Sequence, residues 1–287
     1  MIAAALALAA ANPSVAYTID PRHRLVEGIA SDGTTIWVSS VLDRTIIACR
    51  KTCQRLTVLR QHPLGMAWDK KRELLWIAVG CPKLPGITPC GSGELVAIDR
   101  TGRVRANVFR FFAPFFPGDV SVEGDVVWVS NSVDGAVYGV RHGQIRSVVP
   151  SNIGKSAQGS ALSADRRALI VADYAQGIAS IKLESNVRTL LPRQDGKPLR
   201  GIDGLVRAGP AYYAIYNGAA PGVLLKLDVA ADRLSFTEVD TGKLLPDPTQ
   251  LTLHGKALYV VADSGWATVE KQPARATGAT IVRVPLP

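Results

Sequence analysis

The chain has 287 residues and a hydrophobic content of 47%, enough to bury a large core. Its formal net charge is +9, yet the basic residues are scattered over turns such as Lys70-Lys71-Arg72, Arg103, Arg105, Arg166-Arg167 and Arg275. No basic stripe with interleaved aromatics is present, so the composition speaks against a nucleic-acid binder.

Residues 2–11 form an apolar run too short to span a membrane. Small residues follow at Ser14-Val15-Ala16, at the −3 and −1 positions of a cleavage site, so the segment resembles a secretory leader although no Lys or Arg precedes the run. The expected division is a leader or its remnant over 1–16 and a single domain over 17–287.

From Glu27 onward one pattern comes round six times. The copies read Glu27-Gly28-Ile29-Ala30 with Trp37-Val38, Leu64-Gly65-Met66-Ala67 with Trp76-Ile77, and Gly118-Asp119-Val120-Ser121 with Trp128-Val129. They continue with Gln158-Gly159-Ser160-Ala161 and Ile170-Val171, Asp203-Gly204-Leu205-Val206 and Tyr213-Ala214, and Thr249-Gln250-Leu251-Thr252 and Tyr259-Val260. The steps between anchors are 39, 52, 42, 43 and 46 residues. Such a period, built only from short strands, marks a propeller blade. It overrides the length prior of two domains and predicts an all-β, six-bladed β-propeller with four-stranded antiparallel blades.

Within each copy a hairpin turn follows the first strand, as at Ser31-Asp32-Gly33-Thr34, Glu123-Gly124-Asp125 and His254-Gly255-Lys256. Third strands are expected at 45–48, 94–98, 136–140, 178–182, 222–227 and 280–284, and fourth strands at 55–59, 104–109, 144–149, 187–191 and 234–239. The last blade ends after its third strand, so an N-terminal strand is expected to complete it, assigned to His23–Val26. This overlap would remove an open edge.

Four cysteines admit three pairings. Blade geometry selects Cys49–Cys53, flanking the hairpin tip Arg50-Lys51-Thr52, and Cys81–Cys90, closing a Pro-rich loop. A zinc site would want tight CxxC spacing and converging ligands. Disulfides and a leader together point to a periplasmic or secreted protein.

Two loops, 80–93 and 264–278, exceed ordinary hairpin length. Antiparallel alternation puts both on the face where the inner strands begin, so they should roof the mouth of the central channel. The stripe Phe109, Phe111, Phe112, Phe115 and Phe116 reads as core packing, with its last two rings near the mouth.

The position opening each inner strand is filled by Glu27, Leu64, Gly118, Gln158, Asp203 and Thr249, converging on the axis. Carboxylate and amide oxygens round a narrow channel suit a hard cation such as Ca²⁺. Asp119, one residue further on, can add an oxygen. Asn131, Asp173, Asn217 and Asp263 end second strands on the same face, where acidic and amide residues commonly bond their own turns. Glu27 and Asp203 sit beside Val26 and Ile202, where unpaired carboxylates are costly, and are the stronger candidates. There is no GxSxG elbow, HExxH or Walker loop. Gly154-Lys155-Ser156 mimics only the end of a Walker loop, and His62 and His254 read as structural or solvated residues of blade entry and turn.

Val-Glu-Gly-Ile-Ala at 26–30, Gln-Gly-Ser-Ala-Leu-Ser-Ala-Asp at 158–165 and Ile-Asp-Gly-Leu-Val at 202–206 resemble the SMP-30/gluconolactonase family, related to paraoxonases and strictosidine synthase-like proteins. The resemblance implies a six-bladed propeller with an axial divalent cation, usually calcium, and hydrolysis of lactones or small esters. It implies Glu27 and Asp203 as metal ligands, Asp203 also as proton acceptor, and Gln158 and Asp119 as weaker ligands. Zinc or manganese are alternatives to calcium. Gln158 and Gly118 stand where the family carries Asn. The alternative is therefore a non-catalytic propeller with a degraded metal site that binds a ligand or protein partner. Neither nucleic acid nor a membrane span is expected.

Overall fold

The computed structural model describes residues 12–90, 92–112, 115–269, 271–272 and 278–286, with 107–112 described by backbone alone. The apolar run 2–11, Arg275 and the side chains of Phe109, Phe111 and Phe112 lie outside the described residues.

The order of elements along the chain is set by hairpins, each short alternating strand folding back on the one before it. The first strand, β1 (Ser14–Thr18), stands apart from its sequence neighbours. Blade one then runs β2 (Val26–Ser31), β3 (Ile36–Ser40), β4 (Thr45–Cys49), β5 (Cys53–Val58), and blade two β6 (His62–Asp69), β7 (Leu74–Gly80), β8 (Ser92–Ile98), β9 (Val104–Phe112). Blade three is β10 (Pro117–Glu123), β11 (Val126–Asn131), β12 (Val137–Arg141), β13 (Gln144–Val149). Blade four is β14 (Ala157–Leu162), β15 (Ala168–Asp173), β16 (Gly177–Lys182), β17 (Arg188–Leu190). Blade five is β18 (Ile202–Ala208), β19 (Ala211–Tyr216), β20 (Val223–Val229), β21 (Leu234–Val239). Blade six is β22 (Leu251–His254), β23 (Ala257–Val261) and β24 (Thr280–Pro285), with a short helix, α1 (Trp266–Val269), in the loop between its last two strands. Each blade is one four-stranded antiparallel sheet, innermost strand first, and the sequence expectation of a six-bladed propeller holds.

The closing strand differs from expectation. β1 pairs antiparallel with β24 and completes blade six, whereas His23 to Leu25 form a connection and Val26 opens β2. The physical reason is reach. An outermost strand must lie a full sheet width from the axis, and residues 23–25 are tethered directly to the innermost strand of blade one. The intervening segment 19–25 supplies the span. Tyr17 Oη then donates to Arg50 O at 2.6 Å, tying β1 to the blade-one hairpin. Two more bonds cross the seam between blades six and one: Thr249 Oγ1 donates to Glu27 O (3.1 Å), and Ser31 Oγ lies 2.5 Å from His254 Nδ1.

The repeat anchors explain the ring. Each sits in the second strand of its blade and packs into the seam with the next. Trp37 lies with Met66, Leu75 and Ile77; Trp76 with Val120 and Val127; Trp128 with Leu162 and Leu169. Ile170, Tyr213 and Tyr259 serve the remaining seams. One apolar cluster per seam makes the core a ring of separate wedges rather than one mass. Each buried aromatic contributes roughly 2–3 kcal/mol by apolar burial.

The register between the two innermost strands slips at one place in every blade from one to five. In blade one Val26 faces Ser40 and Ile29 faces Val38, leaving Glu27-Gly28 as a bulge. The same slip falls at Leu64-Gly65, Gly118-Asp119, Gln158-Gly159 and Asp203-Gly204. A bulge turns a side chain out of the regular alternation. Here it aims the opening residue of each blade at the axis. The outer disulfide, Cys49–Cys53, and the loop disulfide, Cys81–Cys90, pair as the blade geometry requires.

The roof is also present. Leu84 and Ile87 from the 80–93 loop and Val269 and Trp266 from the 264–278 loop pack together over Leu25, Val41, Leu64 and Phe116.

Because β1 covers the outer edge of β24, its loss should be felt in stability. A chain beginning at Pro13 is expected to melt like the full chain. One beginning at Ile19 is expected to melt at least roughly 5 °C lower and to associate through β24. Calorimetry and gel filtration of the two truncations check this.

Candidate functional site

Under the roof lies a cavity of about 460 Å³ at the axis. All six blade-opening residues line it: Glu27, Leu64, Gly118, Gln158, Asp203 and Thr249. The convergence expected from the repeat is therefore real, and the bulges produce it. Ser132, Ser156, Tyr174, Asn217, Asp247 and Trp266 complete most of the polar and aromatic wall.

The chemistry of this wall is one-sided. Glu27, Asp203 and Asp247 are acidic, and among the described residues no Lys, Arg or His lines the cavity. Glu27 and Asp203 are 7% and 8% exposed. Burial and the nearby Asp203 carboxyl push Glu27 well above the usual carboxylate range, against the indole N–H of Trp266, which donates to Glu27 Oε2. Burial pushes Asp203 up to about 7, opposed by the Asn217 amide. Two carboxyls in one dry site cannot both ionise cheaply without a positive partner.

Asp203 is held on both oxygens: Asn217 Nδ2 donates to Oδ2 and Gln250 Nε2 to Oδ1, each at 3.0 Å. Asn217 Nδ2 also donates to Pro248 O (3.0 Å), which leaves Asn217 Oδ1 buried with no partner. The hydroxyls of Ser132 and Thr249 are spent on Phe116 O and Glu27 O. Asn217 Oδ1 is thus an acceptor without a donor.

Gly118 and Gln158 belong together. A Cβ on Gly118 would lie 2.3 Å from Ala157 O, 2.7 Å from Gln158 Oε1 and 2.9 Å from Ser130 Oγ. The longer Gln158 side chain leans into the room that Gly118 leaves, while its Nε2 donates to Ser156 Oγ (3.3 Å). One carboxamide oxygen therefore occupies the sector that two shorter side chains would share.

Asp119 is placed differently from the other candidates. It does not line the mouth cavity but a second chamber of about 200 Å³ further along the channel, with Ser121, Ser160 and Gln250. Its carboxyl fills the space beside Gly65, where a Cβ would come within 2.3 Å of Oδ1. Burial pushes it up to about 8, opposed by the Val120 N–H and reinforced by Asp203. Its charge reaches the mouth site although its side chain does not enter it.

The second-strand ends divide. Asn131 Oδ1 accepts the N–H of Phe116 (3.0 Å) and Val133 (3.1 Å). Asp173 accepts four backbone N–H groups, from Lys155, Ser156, Ala175 and Gln176, and pairs with Arg188 at 3.1 Å. Both staple loops. Burial and Asp247 raise Asp263, which does not line the cavity. Asn217 is the one that joins the site. Sequence reasoning did not single out Gln250, Trp266 or Asp247. A signal existed for Gln250, since it stands where four blades have Gly; Trp266 and Asp247 come from irregular segments with no counterpart in other blades.

Among the described residues no three of His, Cys, Asp and Glu are grouped for a metal ion. The donor set nonetheless fits a hard cation, which accepts amide oxygens as readily as carboxylates: two buried carboxyls, the orphaned Asn217 Oδ1 and Gln158 Oε1.

No family model and no curated protein matches the sequence. Solved structures do resemble it in fold. Regucalcin from Agrobacterium tumefaciens, described as a calcium-binding protein, is 14% identical, with 95% of this chain and 96% of that chain covered at a TM-score of 0.66. A luciferin-regenerating enzyme is 12% identical over 96% and 95%, at 0.65. The soluble aldose sugar dehydrogenase of Escherichia coli is 12% identical over 96% and 99%, at 0.63. Likeness at this level shows the propeller fold, shared by proteins of different chemistry.

A buried carboxyl raised in the folded state keeps a proton that the unfolded chain has already lost. Its stabilising contribution is full below about pH 4 and falls away as pH rises through 7. In chelator the protein should lose stability from pH 5 to pH 8, by up to about 1.4 kcal/mol per pH unit for each titrating group. Asp203→Asn should flatten that slope and be the more stable form at pH 8. Urea melts at the two pH values decide it; a flat wild-type profile would sink this electrostatic account.

Proposed function

We propose that this chain is a divalent-metal-dependent hydrolase of lactones or small esters, of the SMP-30/gluconolactonase kind, working in the cell envelope. The observation that carries the reading is the pair Glu27 and Asp203, two buried carboxyls on one cavity with no basic side chain in its wall among the described residues. Such a site calls for an added positive charge. Glu27, Asp203 and Gln158 would hold the cation, with Asn217 Oδ1 as a fourth oxygen. A bound divalent ion polarises an ester carbonyl and lowers the pKa of a coordinated water.

The chain's own residues supply the rest. Asp203, raised by burial to about 7 before any cation binds, is the group assigned to take up the proton. The amides of Asn217 and Gln250 fix its plane. The roof formed by Trp266, Val269, Leu84 and Phe116 covers the mouth and limits water. The calcium-binding description of the regucalcin neighbour agrees with an oxygen-rich axial site. Two disulfides agree with an oxidising compartment. A leader cut before Ser14 would leave β1 whole, whereas a cut after Ala16 would remove half of it.

A second reading, a ligand-binding propeller without catalysis, is favoured by the hydrogen bonds that already engage both Asp203 oxygens. Calcium separates the two. Under the first reading, saturating Ca²⁺ raises the melting midpoint by roughly 5 °C or more, and by more at pH 8 than at pH 5, because the ion replaces protons. A lactone and aryl-ester panel turns over with Ca²⁺ and stops with chelator, and Asp203→Asn abolishes turnover while keeping the fold. An unmoved midpoint, or full turnover in that variant, rejects the hydrolase reading.

A further inference from the structure

The face opposite the mouth carries the turns that join first to second and third to fourth strands. At the seam between blades one and two these turns enclose a groove of about 520 Å³. Four cationic side chains line it, Arg50, Lys51, Arg55 and Arg100, and among the described residues no acidic one does. They come from separate parts of the chain. Arg50 and Lys51 form the β4–β5 hairpin tip, Arg55 lies on β5, and Arg100 is on the β8–β9 turn of the next blade. Scattered in sequence, they are gathered only by the ring.

The groove is built rather than incidental. The Cys49–Cys53 disulfide closes the hairpin beneath Arg50 and Lys51. Tyr17 Oη anchors Arg50 O, and Arg50 Nε donates to Thr35 Oγ1 at 2.8 Å, which aims the guanidinium. Arg100 lies 4.6 Å over the Trp68 ring, and Trp68 stacks on Trp37 at 4.9 Å. Arg100 is compensated by Asp32 and Glu73. Among the described residues, Arg50, Lys51 and Arg55 have no ion pair. Three exposed cations without ion pairs at one concave groove make a patch that attracts anions.

We propose that this groove binds a sulfated or phosphorylated oligosaccharide, a segment of an anionic polymer of the cell surroundings. Guanidinium forks match sulfate and phosphate oxygens, and several cations in a row match several anionic groups on one chain. Thr52 and Gln54 offer a hydroxyl and an amide to sugar hydroxyls. Trp37 is only 1% exposed and Arg100 covers Trp68, so no free ring is offered to a nucleobase. The site is concave and its one aliphatic stem, Leu56, is half-buried, which suits a strand of polymer better than a flat bilayer. It is independent of the mouth cavity and of any reaction there.

The test uses the full chain and a heparin tetrasaccharide as probe, with affinity read by calorimetry over a range of salt. Lys51→Gln/Arg55→Gln removes two groove charges; Arg141→Gln/Arg146→Gln removes the same charge from blade three of the same face. All of these side chains are exposed, and circular dichroism confirms folding. The groove variant should bind about tenfold more weakly with a shallower salt dependence, and the control should stay within about twofold of wild type. Equal losses in both variants, or no binding of the probe at low salt, overturn the proposal. So does tighter binding to phosphatidylglycerol vesicles than to the tetrasaccharide, which would assign the groove to a membrane surface.

Discussion

The closeness of neighbouring inner strands at the axis governs this molecule. A Cβ on Gly28 would stand 2.1 Å from the Leu64 carbonyl of the next blade. Backbone therefore meets backbone across the seam, and the second residue of the inner strand must be small or must project along the channel. The bulge follows from the same crowding. It displaces the ladder by one residue and turns the opening side chain inward. Everything functional at the mouth depends on this, because without the bulge Glu27 and Asp203 would alternate into the seams, where Trp37 and its equivalents already fill the space.

The consequence is a concentration of negative charge where water is scarce. Asp203 raises both Glu27 and Asp119, and Asp119 adds to Glu27 from the next chamber. Neutral amides and an indole approach these groups, but among the described residues no cation does. Amide donors lower the cost of a buried carboxylate without cancelling its charge. The site is thus complete in geometry and incomplete in charge. Two of the wall's hydroxyls, those of Ser132 and Thr249, are committed to backbone carbonyls.

The mouth cavity and the blade-one groove are opposite in charge. Acidic residues and the roof loops gather at the mouth; the blade-one groove on the other face gathers arginine and lysine. Each disulfide sits at one of these places. Cys81–Cys90 is within the roof loop that brings Leu84 and Ile87 over the axis, and Cys49–Cys53 underlies the basic hairpin. Crosslinks are useful where a loop has few apolar contacts of its own to hold it.

The six copies of a strand pair were legible along the chain because alternation, turn chemistry and the aromatic anchors are local and repeat. That alone determined the blade number, the strand limits to within a few residues, the cysteine pairing and the convergence of Glu27, Gln158 and Asp203. The tertiary structure decided what depends on distance across the ring. It chose β1 rather than His23–Val26 to close blade six, because an outer strand needs slack from the axis. It moved Asp119 into a separate chamber, because residues one apart on a bulged strand point to different levels of the channel. It brought Trp266 and Gln250 onto the two carboxyls and Arg100 beside Arg50, contacts between segments dozens to hundreds of residues apart that no local pattern encodes.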